Sequence, residues 1–451
     1  MKKQLLTGLL LIVAVYTFAQ NKPSAKTTET AIKPVGIIKN LTDSALLDVV
    51  QRQTFRYFWD FAHPVSGMAR ERSNEAFDYG GEVVTTGGTG FGIMAMIVAV
   101  ERKWIKREEA VDRMLKMVKF LQKADSYHGV FPHWLNGATG KTVPFGRKDD
   151  GGDLVETSFL FQGIITAGQY YNADTPKERE LRDRMGWLWN DIEWDWYTQG
   201  GRDNLYWHWS PNNGWSMNFA IRGYNECLIT YVLAASGERY PIKDNIYHNG
   251  WAQSDFFKNG KTFYGIKLPL GFDYGGPLFF THYSFLGLNP KGLKDRYADY
   301  WEQNVNHTLI NRAYCVDNPK KFKGYGANCW GLTASDNHEG YNAHSPTNDL
   351  GVITPTAALS SFPYAPQYSM QALRHFYYDM GDKIWGEYGF VDAFNESKNW
   401  YAKSYLAIDQ GPIVVMIENY RTGLLWKLFM SSPQVQAGLK KLDFESTAIA
   451  K

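Results

Sequence analysis

The sequence is poor in cysteine, has no excess of either charge, and carries no long apolar run after its first residues. The 451 residues include only Cys227, Cys315 and Cys329. An odd count makes no disulfide framework. Cys315 and Cys329 have the option of pairing in an oxidising compartment, while Cys227 sits in an apolar run and reads as a buried thiol. Lys plus Arg number 48 against 46 Asp plus Glu. That balance argues against a nucleic-acid binder, which needs a basic face. Charged residues at 21% and hydrophobic ones at 44% exclude wholesale disorder. After Phe18 no stretch is long and apolar enough to span a bilayer, so no stable membrane insertion is expected. There is no CxxC, no Walker A, no Rossmann fingerprint and no GxSxG. His338-Glu339 lacks the HExxH spacing of a zinc protease. No metal and no cofactor is called for, and the run Asp149-Asp150-Gly151-Gly152-Asp153 is only a faint calcium signal.

What is present begins at the N-terminus. Lys2 and Lys3 precede an apolar Leu5 to Phe18, and Ala19 stands before Gln20. This reads as a signal peptide over 1–19, with the mature chain exported to the periplasm or beyond. The run is too short for a membrane anchor, and no cysteine follows it to carry a lipid. Polar residues 20–40 with two prolines are expected to be a flexible tether, and 41–451 one catalytic domain.

Aromatic content is the unusual quantity, with 16 Trp, 28 Tyr and 26 Phe, or 16% of the chain. Trp and Tyr offer flat apolar faces with polar edges, which suit either a large core or stacking on sugar rings. Helical periodicity dominates. Thr42 or Asp43 caps a first helix carrying Leu46, Leu47, Val50, Phe55, Phe58 and Trp59. A Gly-rich turn at 86–90 precedes a nearly all-apolar helix at 91–103. An amphipathic helix follows at 106–123. The alternation recurs: 154–171 apolar, 175–193 amphipathic, 224–236 apolar, 293–313 amphipathic, then 363–380, 408–419 and 423–430. Apolar helices lie inside and amphipathic ones outside. No βαβ rhythm or regular strand spacing appears. The long Gly- and aromatic-rich segments between helices are of the kind that carries function. The expected fold is all-α, an (α/α)6 barrel with long loops on one face.

Acids cluster at the helix starts. Asp153 and Glu156 are spaced i, i+3 at the beginning of an apolar helix, with Asp149 just before them. Capping alone explains such a pair, and so does a binding pocket. Trp207, Trp209 and Trp215 crowd one loop as candidate sugar platforms. Glu226 opens another apolar helix, a setting that raises a carboxyl pKa towards general-acid use. Asp409 is a lone acid just before Pro412, which suits the first turn of a helix and places Asp409 near its N-cap. His338 and Glu339 sit in a loop of substrate-binding composition. Acids, aromatics and export together suggest glycoside cleavage, which needs one protonated and one ionised carboxyl.

The segments TFRYFWDFAHPVSGMARERS (54–73), TGGTGFGIMAM (86–96), GGDLVETSFLFQG (151–163), HWSPNNGWSMNF (208–219), GYNECLITYVLAASG (223–237) and IDQGPIVVMIENYRTGLLW (408–426) closely resemble glycoside hydrolase family 144. Members are often labelled glucoamylase-like, and characterised ones act on β-1,2-glucans. The resemblance spans about residues 42–432. It implies an (α/α)6 barrel, an inverting mechanism, and a catalytic pair of Glu226 in GYNE and Asp409 in IDQGP. Asp149, Asp153 and Glu156 become acidic pocket residues and rivals for either catalytic role, Asp153 foremost. The expected partner is a glucan or glucooligosaccharide, and the expected state a monomer. Two other readings stay open: a non-catalytic sugar-binding protein of an uptake system, and a helical-toroid lyase or epimerase, which would use His, Tyr or Arg as proton carriers. The sequence does not distinguish cleavage within the chain from cleavage at its end.

Overall fold

The computed structural model describes residues 29–73 and 81–449. The expected signal peptide lies outside them. The helices are α1 (Asp43–Trp59), α2 (Thr86–Glu101), α3 (Arg107–Leu121), α4 (Leu154–Tyr170), α5 (Pro176–Asn190), α6 (Leu228–Ser236), α7 (Tyr300–Asp317), α8 (Pro355–Leu359), α9 (Pro366–Arg374), α10 (Gly381–Ile384), α11 (Ala407–Arg421), α12 (Leu424–Met430) and α13 (Pro433–Lys441). The strands among the described residues are short and form hairpins, one three-stranded ribbon and one long-range pair, Gly152–Asp153 with His208–Trp209. No helix there is long and apolar enough to cross a membrane.

Six segments close an inner ring: α2, α4, α6, the 3-10 turns of 278–286, α8 and α11. Small residues and side-chain bonds join them. A Cβ on Gly90 would fall 2.1 Å from the Phe159 carbonyl, and one on Gly163 would fall 2.2 Å from the Gly90 carbonyl, so α2 and α4 meet backbone to backbone. Gln162 of α4 donates to the Tyr283 carbonyl and accepts from the Gly287 N–H. Ser284 accepts from the Ile229 N–H of α6. His282 bonds Ser361 after α8, and Thr356 of α8 donates to the Asp409 carbonyl. Gly411 lets α11 approach Phe91 and completes the circle. An outer layer packs behind: α1 reaches α11 through Gln51 to the Val414 carbonyl, and Arg107 ties α3 to Glu178 of α5. This is the expected (α/α)6 toroid.

The differences from expectation have physical causes. The glycines of 86–90 are helical, forming the first turns of α2 rather than a loop before it. They are there because nothing larger fits: a Cβ on Gly87 would lie 2.4 Å from a Glu156 oxygen, and one on Gly88 2.7 Å from Ala407. The helix expected at 293–313 runs Tyr300–Asp317, capped by Asp299. The fourth inner segment, 278–286, has only 3-10 turns, so no helical period marks it. Residues 29–40 of the expected tether lie against the domain. Ile32 is buried and its carbonyl accepts from Arg56, while the Val35 N–H donates to Gln53. Cys227, Cys315 and Cys329 are free and buried.

Candidate active site

The N-terminal ends of the inner helices converge on one face and bring two acidic groups together there. The first is built around α4. Asp153 is its N-cap: Oδ1 accepts the Val155 and Glu156 N–H groups at 3.0 and 2.9 Å. Gly152–Asp153 pairs with His208–Trp209 as a two-residue ribbon, which sets His208 beside Asp153. His133 Nδ1 meets Asp153 Oδ2 at 2.9 Å, under the ring of Phe145. His208 Nδ1 lies 3.2 Å from Asp149 Oδ1. Burial would lower the His133 pKa, but Glu156, Asp153 and Asp149 outweigh it and push it up to about 9. In return His133 and His208 hold Asp153 below its ordinary value despite burial. His133, Asp149 and Asp153 offer atoms within 4.8 Å of one another, a spacing that would admit a metal. The imidazolium of His133 already supplies the positive charge there.

Glu156 points from the first turn of α4 to the first turn of α2, where its Oε2 accepts the Gly87 N–H at 2.8 Å. Burial, with Asp153 and Asp149 nearby, pushes its pKa up to about 7 against the opposing pull of His133. Glu226 lies just before α6, whose N-cap is Cys227, rather than inside the helix. Its backbone is held by Ser284, which donates to the Glu226 carbonyl. Burial first, then the charges of Glu156 and Asp153, push its carboxyl up to about 7.

The second group surrounds α11. Asp409 is the third residue of that helix, not its cap, and Pro412 falls one turn inside. Burial again comes first, and the pKa of Asp409 rises to about 7. Arg72 donates to both oxygens of Asp336 at 2.7 and 3.0 Å and to Glu71 at 2.8 Å. Ser404 also donates to Asp336, and the Asp336 N–H donates to Asp392 at 2.7 Å. Between the two groups lies a cavity of about 320 Å³ lined by Arg72, Thr85, His133, Phe145, Tyr341 and Ile408, among others. Tyr283, clasped by Phe91, Phe159 and Phe279, is within electrostatic reach of Asp409, Glu156 and Glu226.

Thus Asp149, Asp153, Glu156 and Glu226 form one electrostatic group, and Asp409 belongs to the other with Asp336, Asp392 and Arg72. The tryptophans divide. Trp209 packs edge-on to His128 next to the first group, and Trp207 stacks between His208 and Phe219. Trp215 lines a separate cavity of about 880 Å³ with Trp196, Arg202 and Tyr240. His338 and Glu339 form the tip of the hairpin 334–343, in contact with each other, and His338 packs on Trp400 rather than on the pocket acids. The same hairpin carries Tyr341, which does line the cleft. Sequence reasoning missed Glu71, Arg72, His133, Asp336, Asp392, Tyr283 and Tyr341. Glu71 and Arg72 lie within the ARERS motif (69–73), and His133 sits in an aromatic loop, so all three lay in segments already singled out.

Buried acids gathered at the helix N-termini of an (α/α)6 toroid define the class of helical-toroid glycoside hydrolases. Comparison narrows it. The Glycoamylase family profile matches residues 218–433, and a family of unknown function (DUF3131) matches 50–154. The endo-β-1,2-glucanase of Chitinophaga pinensis is 57% identical, with a TM-score of 0.88 over 91% of this chain and 100% of that one. An exo-β-1,2-glucooligosaccharide sophorohydrolase (non-reducing end) of Parabacteroides distasonis is 48% identical over 89% of this chain, which spans 58% of that relative's length. The glucoamylase of Saccharomycopsis fibuligera, 10% identical with a TM-score of 0.53, shares the fold. The chain belongs to glycoside hydrolase family 144.

Proposed function

We propose that the protein hydrolyses β-1,2-linked glucan or its oligosaccharides with inversion at the anomeric carbon. The observation that carries this is a pair of buried carboxyls, Glu226 and Asp409, each pushed up to about 7 by burial, of which only Asp409 has a cation, Arg72, and a hydrogen-bond partner, Asp392, pulling it back towards the ionised form. Glu226 is the general acid, giving its proton to the departing glycosidic oxygen. Asp409 is the general base, taking a proton from the water that attacks the anomeric carbon on the opposite face. Asp153 stood as a rival for a catalytic role. Its bond to His133 keeps it ionised, so it suits sugar hydroxyls or a base but not an acid. Glu156 is the second choice of acid, because the Gly87 N–H already occupies one of its oxygens. Asp149 and Trp209 lie with the same group and contact sugar, with Trp207 behind His208. The tip residues His338 and Glu339, and Trp215, are left to distal parts of a longer chain.

The two named relatives differ in mode, one endo and one exo. Incubation with β-1,2-glucan and with β-1,3-, β-1,4- and α-1,4-glucans, followed by reducing-end and product-length analysis, tests linkage and mode together. New reducing ends from β-1,2-glucan alone support the assignment. Silence on β-1,2-glucan refutes it. We further propose that the chain is exported after cleavage near Gln20 and acts as a monomer.

A further inference from the structure

Asp392 plays no part in the reaction as assigned above, yet it is 2% exposed and lies beside the proposed base. Its backbone N–H donates to the Ser404 carbonyl at 2.9 Å. Its Oδ2 accepts the Asp336 N–H at 2.7 Å. Its Oδ1 is buried and has no donor among the described residues, and the same is true of both oxygens of Asp409. The two carboxyls are within hydrogen-bonding reach of each other. Facing acceptors that find no donor elsewhere are satisfied only if one carries a proton. Two carboxyls in contact do not both ionise.

The surrounding charges say where that proton sits. Asp336 takes bonds from Arg72 and Ser404, and Glu71 shares Arg72, so this cation is already matched by two acids. Asp392 therefore faces two acidic neighbours, Asp336 and Asp409. Asp409 faces Asp392, Asp336 and Glu71 but has Arg72 in electrostatic reach. The phenol of Tyr341 faces both aspartates, and that of Tyr283 faces Asp409. The strongest electrostatic neighbours of the pair include no histidine or lysine.

We propose that Asp392 is the positioning residue of the base. It holds the one proton of an Asp392–Asp409 pair, donates it from Oδ1 to one Asp409 oxygen, and leaves the other oxygen anionic and free to take the proton of the attacking water. The balance then closes. Water gives its proton to Asp409 and its oxygen to the anomeric carbon, the glycosidic bond breaks, and the leaving oxygen takes the proton of Glu226. Burial and the neighbouring acids hold Asp392 well above the carboxylate range, which agrees with this placement.

The inference rests on Asp409 being the base, and its test separates the two. Asparagine at 392 reproduces both contacts in one orientation: its carbonyl oxygen accepts the Asp336 N–H and its amide donates to Asp409. Alanine supplies neither. Asp392→Asn therefore keeps kcat within about tenfold of wild type with the acid limb of the pH profile nearly in place. Asp392→Ala loses a further tenfold or more, about the low end for a disabled base, with KM little changed and the acid limb moved to higher pH. Should Asp392→Ala fail to fold, Asp392→Asn decides with an infrared difference spectrum at neutral pH. Loss of one protonated-carboxyl C=O band relative to wild type supports the shared proton, and this readout does not depend on activity. An unchanged carboxyl spectrum overturns the proposal. So does Asp392→Asn as inactive as Asp392→Ala at wild-type Tm, or Asp392→Ala with wild-type kcat and pH profile. Full activity in Asp409→Asn would instead remove the base assignment, and the proposal with it.

Discussion

Replacing Glu226 by Gln should cripple the enzyme at every pH and also stabilise the protein, with a gain that grows as pH rises from about 4.5 and is complete above about 7. The Glu226 pKa is raised from 4.5 to about 7, chiefly by burial. An acid raised in the folded state favours folding fully below its unfolded pKa and loses that contribution as pH rises through the folded one. Between pH 4 and pH 8 the wild type therefore loses about 3 kcal/mol of stability at this position, taking about 1.4 kcal/mol per pKa unit. Glutamine has the same shape and nothing to ionise. For a chain of this size, unfolding entropy of roughly 2 cal/mol/K per residue converts about 3 kcal/mol into a Tm gain of about 3–4 °C. The assay is differential scanning calorimetry of both proteins at pH 4 and pH 8, beside kcat on β-1,2-glucan. We expect equal Tm at pH 4, a higher Tm for Glu226→Gln at pH 8, and a kcat lowered at least about 10²-fold. A Tm difference that is the same at both pH values would refute the buried, proton-holding state from which the general-acid role is derived.

The other predictions test different links. The mature protein should begin near Gln20, and mass spectrometry of exported protein showing Met1 intact would contradict this. His133, raised from 6.5 to about 9, contributes stability that is fully present below pH 6.5 and is lost as pH rises through 9. The Tm of His133→Gln should therefore lack the wild-type fall across that window. Gly90→Ala should destabilise by more than the propensity gain of about 1 kcal/mol from removing a helical glycine, because the added methyl meets the Phe159 carbonyl of α4. A Tm at or above wild type would mean that α2 and α4 can separate without cost.

The inner-outer rhythm of the toroid was legible because α2 and α4 are apolar around their whole circumference while α3 and α5 are not. Of the two cap candidates Thr42 and Asp43, it is Thr42 that accepts from the Ala45 N–H, and Thr175, which the sequence marked only as the start of an amphipathic stretch, caps α5 in the same way. The inner segment at 278–286 was not legible, since its turns repeat every three residues and are too short to show a period. The glycines at 86–90 were misread as a loop because their cause is another helix, 70 residues away in sequence, pressed against them. The acids divided in the same way. Asp149, Asp153, Glu156, Glu226 and Asp409 sit in or beside first turns, where spacing betrays them. Asp336 sits in a short hairpin and Asp392 in the bend between two others, and they matter only through Arg72 and Asp409, which distant parts of the chain supply. His338 and Glu339 were chosen for composition, and the hairpin register sends Tyr341 rather than them into the cleft.

The central claim is that two carboxyls, one protonated and one not, cleave a β-glucan from opposite faces of the sugar. Proton NMR of the first product formed from β-1,2-glucooligosaccharide, recorded before mutarotation mixes the anomers, reads that directly. The account predicts the α-anomer at early times, with the signal reduced at least about 10²-fold in Glu226→Gln and in Asp409→Asn. A β-anomer as the first product would contradict it.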